Sequence, residues 1–207
     1  MEKAIQNRSG TQSLDCIPPA ERWLAEQDSF IAKLICSDLV RWPATPNEDP
    51  IWGLMRIVMA QQVSTLVACR IAARVKSEYP CLSTLSPLEL PDLSKLRAFG
   101  LPQRRAQCCV DIVARSHEIL TKIENGITWD RALEGIKGIG PWTISIFKIM
   151  VLRHPDVLPM GDVGLERAIS NIYGDSHSVE HLSEKWRPFR SVACWYLWRT
   201  LGNEQLG

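Results

Sequence analysis

The chain has 207 residues, 45% hydrophobic and 23% charged, which is enough apolar material for one sizeable core or for two small lobes sharing a cleft. Its 24 Lys and Arg against 23 Asp and Glu leave a formal net charge of +1, so overall basicity does not mark a polyanion binder. Any nucleic-acid surface has to be local, built from clustered charge and backbone dipoles. The polar opening MEKAIQNRSGTQSLD lacks the apolar core of a signal peptide, and no apolar run approaches a membrane span. The expectation is an intracellular chain, in the cytoplasm and nucleoid of a bacterium or the nucleus of a eukaryote, with no membrane partner.

Helical periodicity dominates, and the alternation that strands require is nearly absent. Residues 1–18 read as a flexible tail and 19–207 as one folded domain. AERWLAEQDSFIAKLICSDL predicts two amphipathic helices broken near Asp28, and RWPATPNEDP is a loop. Pro50 suits a first helical position, opening the apolar helix IWGLMRIVMA. In QQVSTLVACRIAARVKSEYP, Val63, Leu66, Val67, Ile71 and Val75 form one stripe, ending at Pro80. LPDLSKLRAFG ends in a C-terminal glycine, and LPQRRAQCCVDIVARSHEILTKIENG reads as one long helix that ends the same way. Thr128 is placed to cap WDRALEGI, and a turn then leads into PWTISIFKIMVLR. Asp162 is placed to cap DVGLERAISNIYG, and two C-terminal helices split near Pro188. The expectation is an all-α protein of about ten helices, with a central lobe over about residues 50–135 and a second lobe from the N- and C-terminal helices.

The seven cysteines (Cys16, Cys36, Cys69, Cys81, Cys108, Cys109, Cys194) contain no C-x-x-C pair, which predicts reduced, mostly buried thiols. His177 and His181 are spaced i, i+4 without a nearby Cys or acid to complete a ligand set, so they read as a solvated face, and no metal site is expected.

The most informative stretch is GIKGIGPWTISIF, residues 135–147. Gly138 and Gly140 bracket Ile139, which can plug into the core while the glycines take dihedrals closed to other residues. Amides left unpaired by the turn, added to the positive end of the helix that begins near Pro141, make an anion site suited to a DNA phosphate. Thr143 could add a hydroxyl and Lys137 a cation. The alternative is a tight helix–helix connection.

This segment resembles the hairpin of the helix-hairpin-helix DNA glycosylase superfamily. LEGIKGIGPWT followed by DVLPMGD resembles the 3-methyladenine DNA glycosylase II branch, as do DPIWGLMRIVMAQQVS, LRAFGLPQRRAQ and WRPFRSVACWYLW, in the same order, over about residues 20 to 202. The resemblance implies damaged double-stranded DNA as partner, a monomer, and the compact form without an additional N-terminal β domain. It assigns the catalytic carboxylate to Asp162, 20 residues after Trp142, beside an oxocarbenium-like sugar; the competing reading of Asp162 is a plain N-cap. Asp156 reads as structural, Glu166 as an exposed helix residue, and Arg190 as an ion-pair partner.

Bifunctional relatives carry a lysine where Trp142 stands, so the resemblance implies a monofunctional enzyme without strand cleavage. Only Cys194 lies where relatives with an iron–sulfur cluster have four cysteines, so no cluster and no other cofactor is expected. A monovalent cation on the hairpin carbonyls, held by some relatives, is left open. Gln61 and Gln62 fall where the family inserts a wedge into DNA, Gln62 being the inserted side chain, with Ser64 shaping the loop; the alternative is ordinary polar residues at a helix N-terminus. Trp142 and Trp198 are assigned to the base pocket, where an indole face favours a cationic alkylated purine, although Trp198 also fits a core position. Trp23, Trp52, Trp129, Trp186 and Trp195 are assigned to packing. Excision of 3-methyladenine and 7-methylguanine, extended to hypoxanthine, is therefore expected. The alternatives are a glycosylase for uracil, another deaminated base or a mismatch, and a non-catalytic DNA-binding module.

Overall fold

A computed structural model describes residues 17–37, 40–46, 48–80 and 90–202. The tail over residues 1–16, with Cys16, and the thiol Cys81 lie outside the described residues. Ile17, grouped with the tail on sequence, is buried.

The described residues form twelve helices and no strand, so the chain is all-α, with two helices more than the sequence suggested. They are α1 (Pro19–Gln27), α2 (Ser29–Ser37), α3 (Pro50–Ala60), α4 (Thr65–Glu78), α5 (Leu93–Ala98), α6 (Gln103–Ala114), α7 (Ser116–Glu124), α8 (Trp129–Ala132), α9 (Pro141–Met150), α10 (Val163–Tyr173), α11 (Val179–Glu184) and α12 (Arg190–Arg199). Helices α1, α2, α10 and α12 pack on one another, while α3 carries α4, α6 and α9 around it. One continuous apolar core runs through both groups.

Three local expectations change. The long helix over 103–126 divides at Arg115, whose ψ of 3° breaks the helical path and whose guanidinium reaches the Glu134 carbonyl at 3.4 Å. On α4 the buried stripe is Ala68, Ile71 and Val75; Leu66 and Val67 are 62% and 41% exposed. Thr128 stands at the N-cap of α8 but makes no side-chain capping bond. Among the five described cysteines, Cys36 and Cys69 are exposed, whereas Cys108, Cys109 and Cys194 are buried. Burial pushes the Cys108 thiol up to about 11, which leaves it a poor nucleophile. His177 precedes α11, which contains His181, so the two do not share a helix. The described residues contain no His, Cys, Asp and Glu cluster suited to a metal ion. Trp186 and Trp195 are buried, and Trp23, Trp52 and Trp129 pack partly buried against the core.

Helix α12 has no polar face: every residue from Ser191 to Trp198 is buried, as expected of a helix enclosed by neighbours. Two buried acids tie the N-terminal helices around it. Glu21 accepts from the Tyr196 hydroxyl at 2.7 Å and the Trp42 amide at 2.9 Å. Asp28, between α1 and α2, caps α2 through the Phe30 amide and accepts from Tyr173 Oη at 2.7 Å, Trp186 Nε1 at 2.9 Å and Lys185 Nζ at 3.0 Å. These bonds fasten the α1–α2 joint to the end of α10 and to the segment after α11.

Burial by itself would raise the Asp28 pKa, but the bonds from Trp186, Tyr173, Lys185 and the Ile31 amide outweigh it and hold the carboxyl below its ordinary value of 3.8. A carboxyl with a depressed folded-state pKa contributes stability that is complete above the unfolded value and disappears as pH falls through the folded one. Asp28→Asn should therefore cost about 3 kcal/mol at pH 7, since it leaves buried donors and a cation without their partner. The difference from wild type should shrink below pH 3.8; urea midpoints across pH 2–8 measure it.

Candidate active site

Helix α3 and helix α9 run antiparallel, because Gly53 meets Val151 at one end of the pair and Gln61 meets Thr143 at the other. A Cβ on Gly53 would fall 2.5 Å from Val151 Cγ1, so this glycine sets how closely the helices approach. The approach brings the turn after α3 against the first turn of α9. Gln61 Nε2 donates to Thr143 Oγ1 at 3.1 Å. Thr143 is only 4% exposed, so its hydroxyl holds the glutamine turn in place and does not face a phosphate, contrary to the sequence expectation.

Gln62 is exposed and has a φ of 56°, a left-handed conformation that costs a non-glycine residue about 1 kcal/mol or more. Its Oε1 accepts from Arg105 Nη2 at 3.3 Å. A guanidinium has no acceptor, so the Gln62 amide turns its oxygen to Arg105 and keeps its NH2 for another partner. Ser64 is exposed at the N-cap of α4 and makes no capping bond.

In the hairpin, Gly138 has a φ of 98°, and a Cβ there would meet Cys108 Sγ at 3.1 Å. Gly140, with a φ of −106°, is in extended backbone open to any residue. Ile139 is half-buried and packs against the core. Gly140 is the N-cap of α9, Pro141 is its first residue, and no side chain caps the first-turn amides, which leaves their N–H groups directed outward.

The carboxylate of Asp162 is 8% exposed and has three N–H donors. Oδ1 accepts from the Leu165 amide at 2.6 Å, the N-capping bond of α10, and from Trp198 Nε1 at 2.9 Å. Oδ2 accepts from Trp142 Nε1 at 2.8 Å. Gly161, with a φ of 71°, makes the turn that delivers Asp162 to this point. Asp162 is thus an N-cap through one oxygen, while the other faces Trp142.

These residues surround one cavity of about 530 Å³. Gln61, Gln62, Trp142, Asp162 and Trp198, scattered over the sequence, all line it. Trp142 is 37% exposed, whereas Trp198 is 5% exposed and shows the cavity little surface. Gly138, Ile139, Gly140, Thr143 and Ser64 do not line it. Asp156 is held by Arg190 at 2.6 Å and by Arg187 at 3.3 Å, and Glu166 is exposed. Sequence reasoning passed over Ile146 and Met150, which line the cavity from α9, and Arg105 and Arg167. Trp142, Ile146 and Met150 recur every four residues, and so do Val163 and Arg167; those stripes were the available signal.

A model of the HhH-GPD superfamily of base excision DNA repair proteins matches residues 55–188. The probable bifunctional transcriptional activator/DNA repair enzyme AlkA of Mycobacterium tuberculosis is 30% identical over 175 residues, 78% of this chain and 35% of that protein. DNA-3-methyladenine glycosylase 1 of Schizosaccharomyces pombe is 29% identical, over 74% of this chain and 73% of that protein. DNA-3-methyladenine glycosylase 2 of Escherichia coli is 26% identical, over 72% and 56%. The chain therefore spans about a third of the Mycobacterium relative's length and most of the Schizosaccharomyces one's. Among solved structures, the Schizosaccharomyces 3-methyladenine DNA glycosylase Mag1 in complex with abasic DNA superposes with a TM-score of 0.72 at 25% identity, covering 88% of this chain and 96% of that one. The DNA-3-methyladenine glycosidase of Bacillus halodurans gives 0.66 at 26% identity, covering 89% and 90%.

The two hairpin glycines should respond differently to alanine. Gly138→Ala forces a left-handed alanine against Cys108 and should cost about 1–2 kcal/mol. Gly140→Ala meets nothing within 4 Å and should stay within about 0.5 kcal/mol of wild type. Denaturant midpoints of the two variants decide the matter.

Proposed function

Because the chain belongs to the HhH-GPD superfamily of base excision DNA repair proteins, we propose that it is a monofunctional DNA glycosylase that hydrolyses the N-glycosidic bond of alkylated purines in duplex DNA. 3-Methyladenine and 7-methylguanine are the principal substrates of this reading, and hypoxanthine is a further one. The observation that carries the proposal is the Asp162 carboxylate, hydrogen-bonded by two indole N–H groups at the side of a cleft large enough for a nucleotide.

In this reading the hairpin amides and the first turn of α9 bind a backbone phosphate, and Gln62 fills the space left by the extruded nucleotide. Its NH2 offers donors to the orphaned base. The base enters beside the exposed face of Trp142, which attracts a positively charged purine. As the C1′–N bond breaks, its electron pair leaves with the base and cancels the base's charge. Positive charge then gathers on C1′ and O4′ of the sugar, opposite Asp162 Oδ2. The carboxylate stabilises that charge and directs a water to C1′, whose proton passes to the carboxylate and on to solvent. A cationic alkylated base needs no general acid to leave, and the described residues lining the cleft supply none, so neutral hypoxanthine is the slower substrate of this reading.

Among the described residues no lysine lines the cleft, which supports hydrolysis without a Schiff base and without strand cleavage. The proposal includes action as a monomer and without an iron–sulfur cluster, the latter because Cys194 is the one cysteine after the hairpin. Among the described residues no helix is long and apolar enough to cross a membrane.

Single-turnover release of 7-methylguanine from duplex DNA should fall at least about 100-fold in Asp162→Asn. Strand breaks should appear only after alkali; release of uracil alone, or breaks without alkali, would contradict the proposal. Trp142→Phe keeps an aromatic face and removes the N–H donated to Oδ2. It should slow release about tenfold, the worth of a hydrogen bond to a charged group, with little change in affinity for the damaged duplex.

A further inference from the structure

The proposed chemistry leaves one charged group of the cleft unused. Arg167 stands on α10, one helical turn beyond Val163, and lines the same cavity as Asp162. These two are the charged side chains among the residues lining it. Arg167 is exposed and has no hydrogen bond, ion pair or ring contact with the described residues. Other arginines near the site are engaged: Arg105 on Gln62, and Arg190 on Asp156.

A guanidinium is charged at every working pH and presents planar paired donors, so its ligand is an anion or a strong acceptor. Two features of the cleft decide which. Trp198, at 5% exposure, forms the floor and Asp162, at 8%, stands at its side, whereas the α10 rim is open, with Val163 at 75%. An extruded nucleotide puts its base toward the floor and its phosphodiester at the rim. A cationic purine would also be repelled by an unneutralised guanidinium beside it. A phosphate on that guanidinium removes the conflict and holds the sugar on the Asp162 side of the cleft.

We propose that Arg167 binds the phosphodiester flanking the extruded nucleotide, a phosphate site separate from the amides of the hairpin. The inference rests on the proposed function in one respect, that a nucleotide enters this cleft. Arg167 is then a substrate-binding residue that also positions C1′ against Asp162.

The test is fluorescence anisotropy of a duplex carrying a tetrahydrofuran abasic analogue, with wild type, Arg167→Gln and Arg167→Lys over a range of KCl. Arg167→Gln should bind about tenfold more weakly near 0.1 M salt. The slope of log affinity against log salt should become shallower by about 0.9, the value of one released counterion. Arg167→Lys should keep the wild-type slope and regain most of the affinity. The loss should be the same for duplexes containing 7-methylguanine or hypoxanthine. Wild-type affinity and slope in Arg167→Gln would overturn the proposal. So would an unchanged slope with an altered ratio of 7-methylguanine to hypoxanthine release, which would put the guanidinium on the base. The abasic duplex has no base to release, so this readout is independent of glycosylase activity. Failure of the glycosylase reading would appear separately, as no base released by wild type.

Discussion

A carboxylate can sit at the side of a largely apolar cleft only if its oxygens are hydrogen-bonded, since an unpaired charge there would be strongly penalised. Asp162 satisfies that condition with donors from three helices: the Leu165 amide of α10, Trp198 of α12 and Trp142 of α9. Much of the architecture follows from bringing those three together. Helix α12 is buried from Ser191 to Trp198, and Trp198 reaches the carboxylate from behind. Helix α9 has to begin abruptly, at Pro141, for Trp142 to stand at the cleft edge. The two oxygens then divide the work, with Oδ1 held by the cap and Trp198 while Oδ2 faces Trp142 and the cavity.

The opposite wall depends on the same helix. Helix α9 packs antiparallel on α3, closely at Gly53, and Thr143, next to Trp142, receives the Gln61 amide. The first turn of α9 thereby orients both the carboxylate, through an indole, and the glutamine turn, through a hydroxyl. Gln62 is left strained and outward-facing. Such local strain persists where the surrounding structure over-determines it, here through the Gln61 anchor on one side and Arg105 on the other. The cleft behaves as one unit, in which displacing α9 disturbs the anion-binding turn, the carboxylate and the wedge together.

Much of this was legible in the sequence. Periodicity, caps and prolines located the helices, and Pro50, Pro141 and Asp162 open helices where their chemistry says they should. The misreadings were tertiary. Nothing in VARSHE marks a break, because Arg115 leaves the helix to reach a carbonyl in a distant segment. Leu66 and Val67 share a stripe with buried residues yet stand exposed, because no described helix packs over that end of α4 as it does over Ile71 and Val75. Thr143 was read as a hydroxyl offered to a DNA phosphate, but it is buried, and the Gln61 amide just after α3 donates to it. For Trp142 and Trp198 the sequence distinguished only pocket from core. That both indoles donate to one carboxylate is a matter of distance between segments, and no spacing along the chain encodes it. The resemblance to known glycosylases named the residues around the cleft; the structure added which atoms face one another.

The account's central claim is that Asp162 Oδ2 confronts positive charge on the sugar of an extruded nucleotide. It is tested most directly by comparing the affinity of the protein for two duplexes, one carrying a cationic pyrrolidine in place of the deoxyribose and the other a neutral tetrahydrofuran of the same shape. Wild type should prefer the cationic duplex by about tenfold or more, as a site built for a charged transition state does, and Asp162→Asn should bind the two alike. Equal affinity in wild type, or a preference that survives in Asp162→Asn, would contradict the claim.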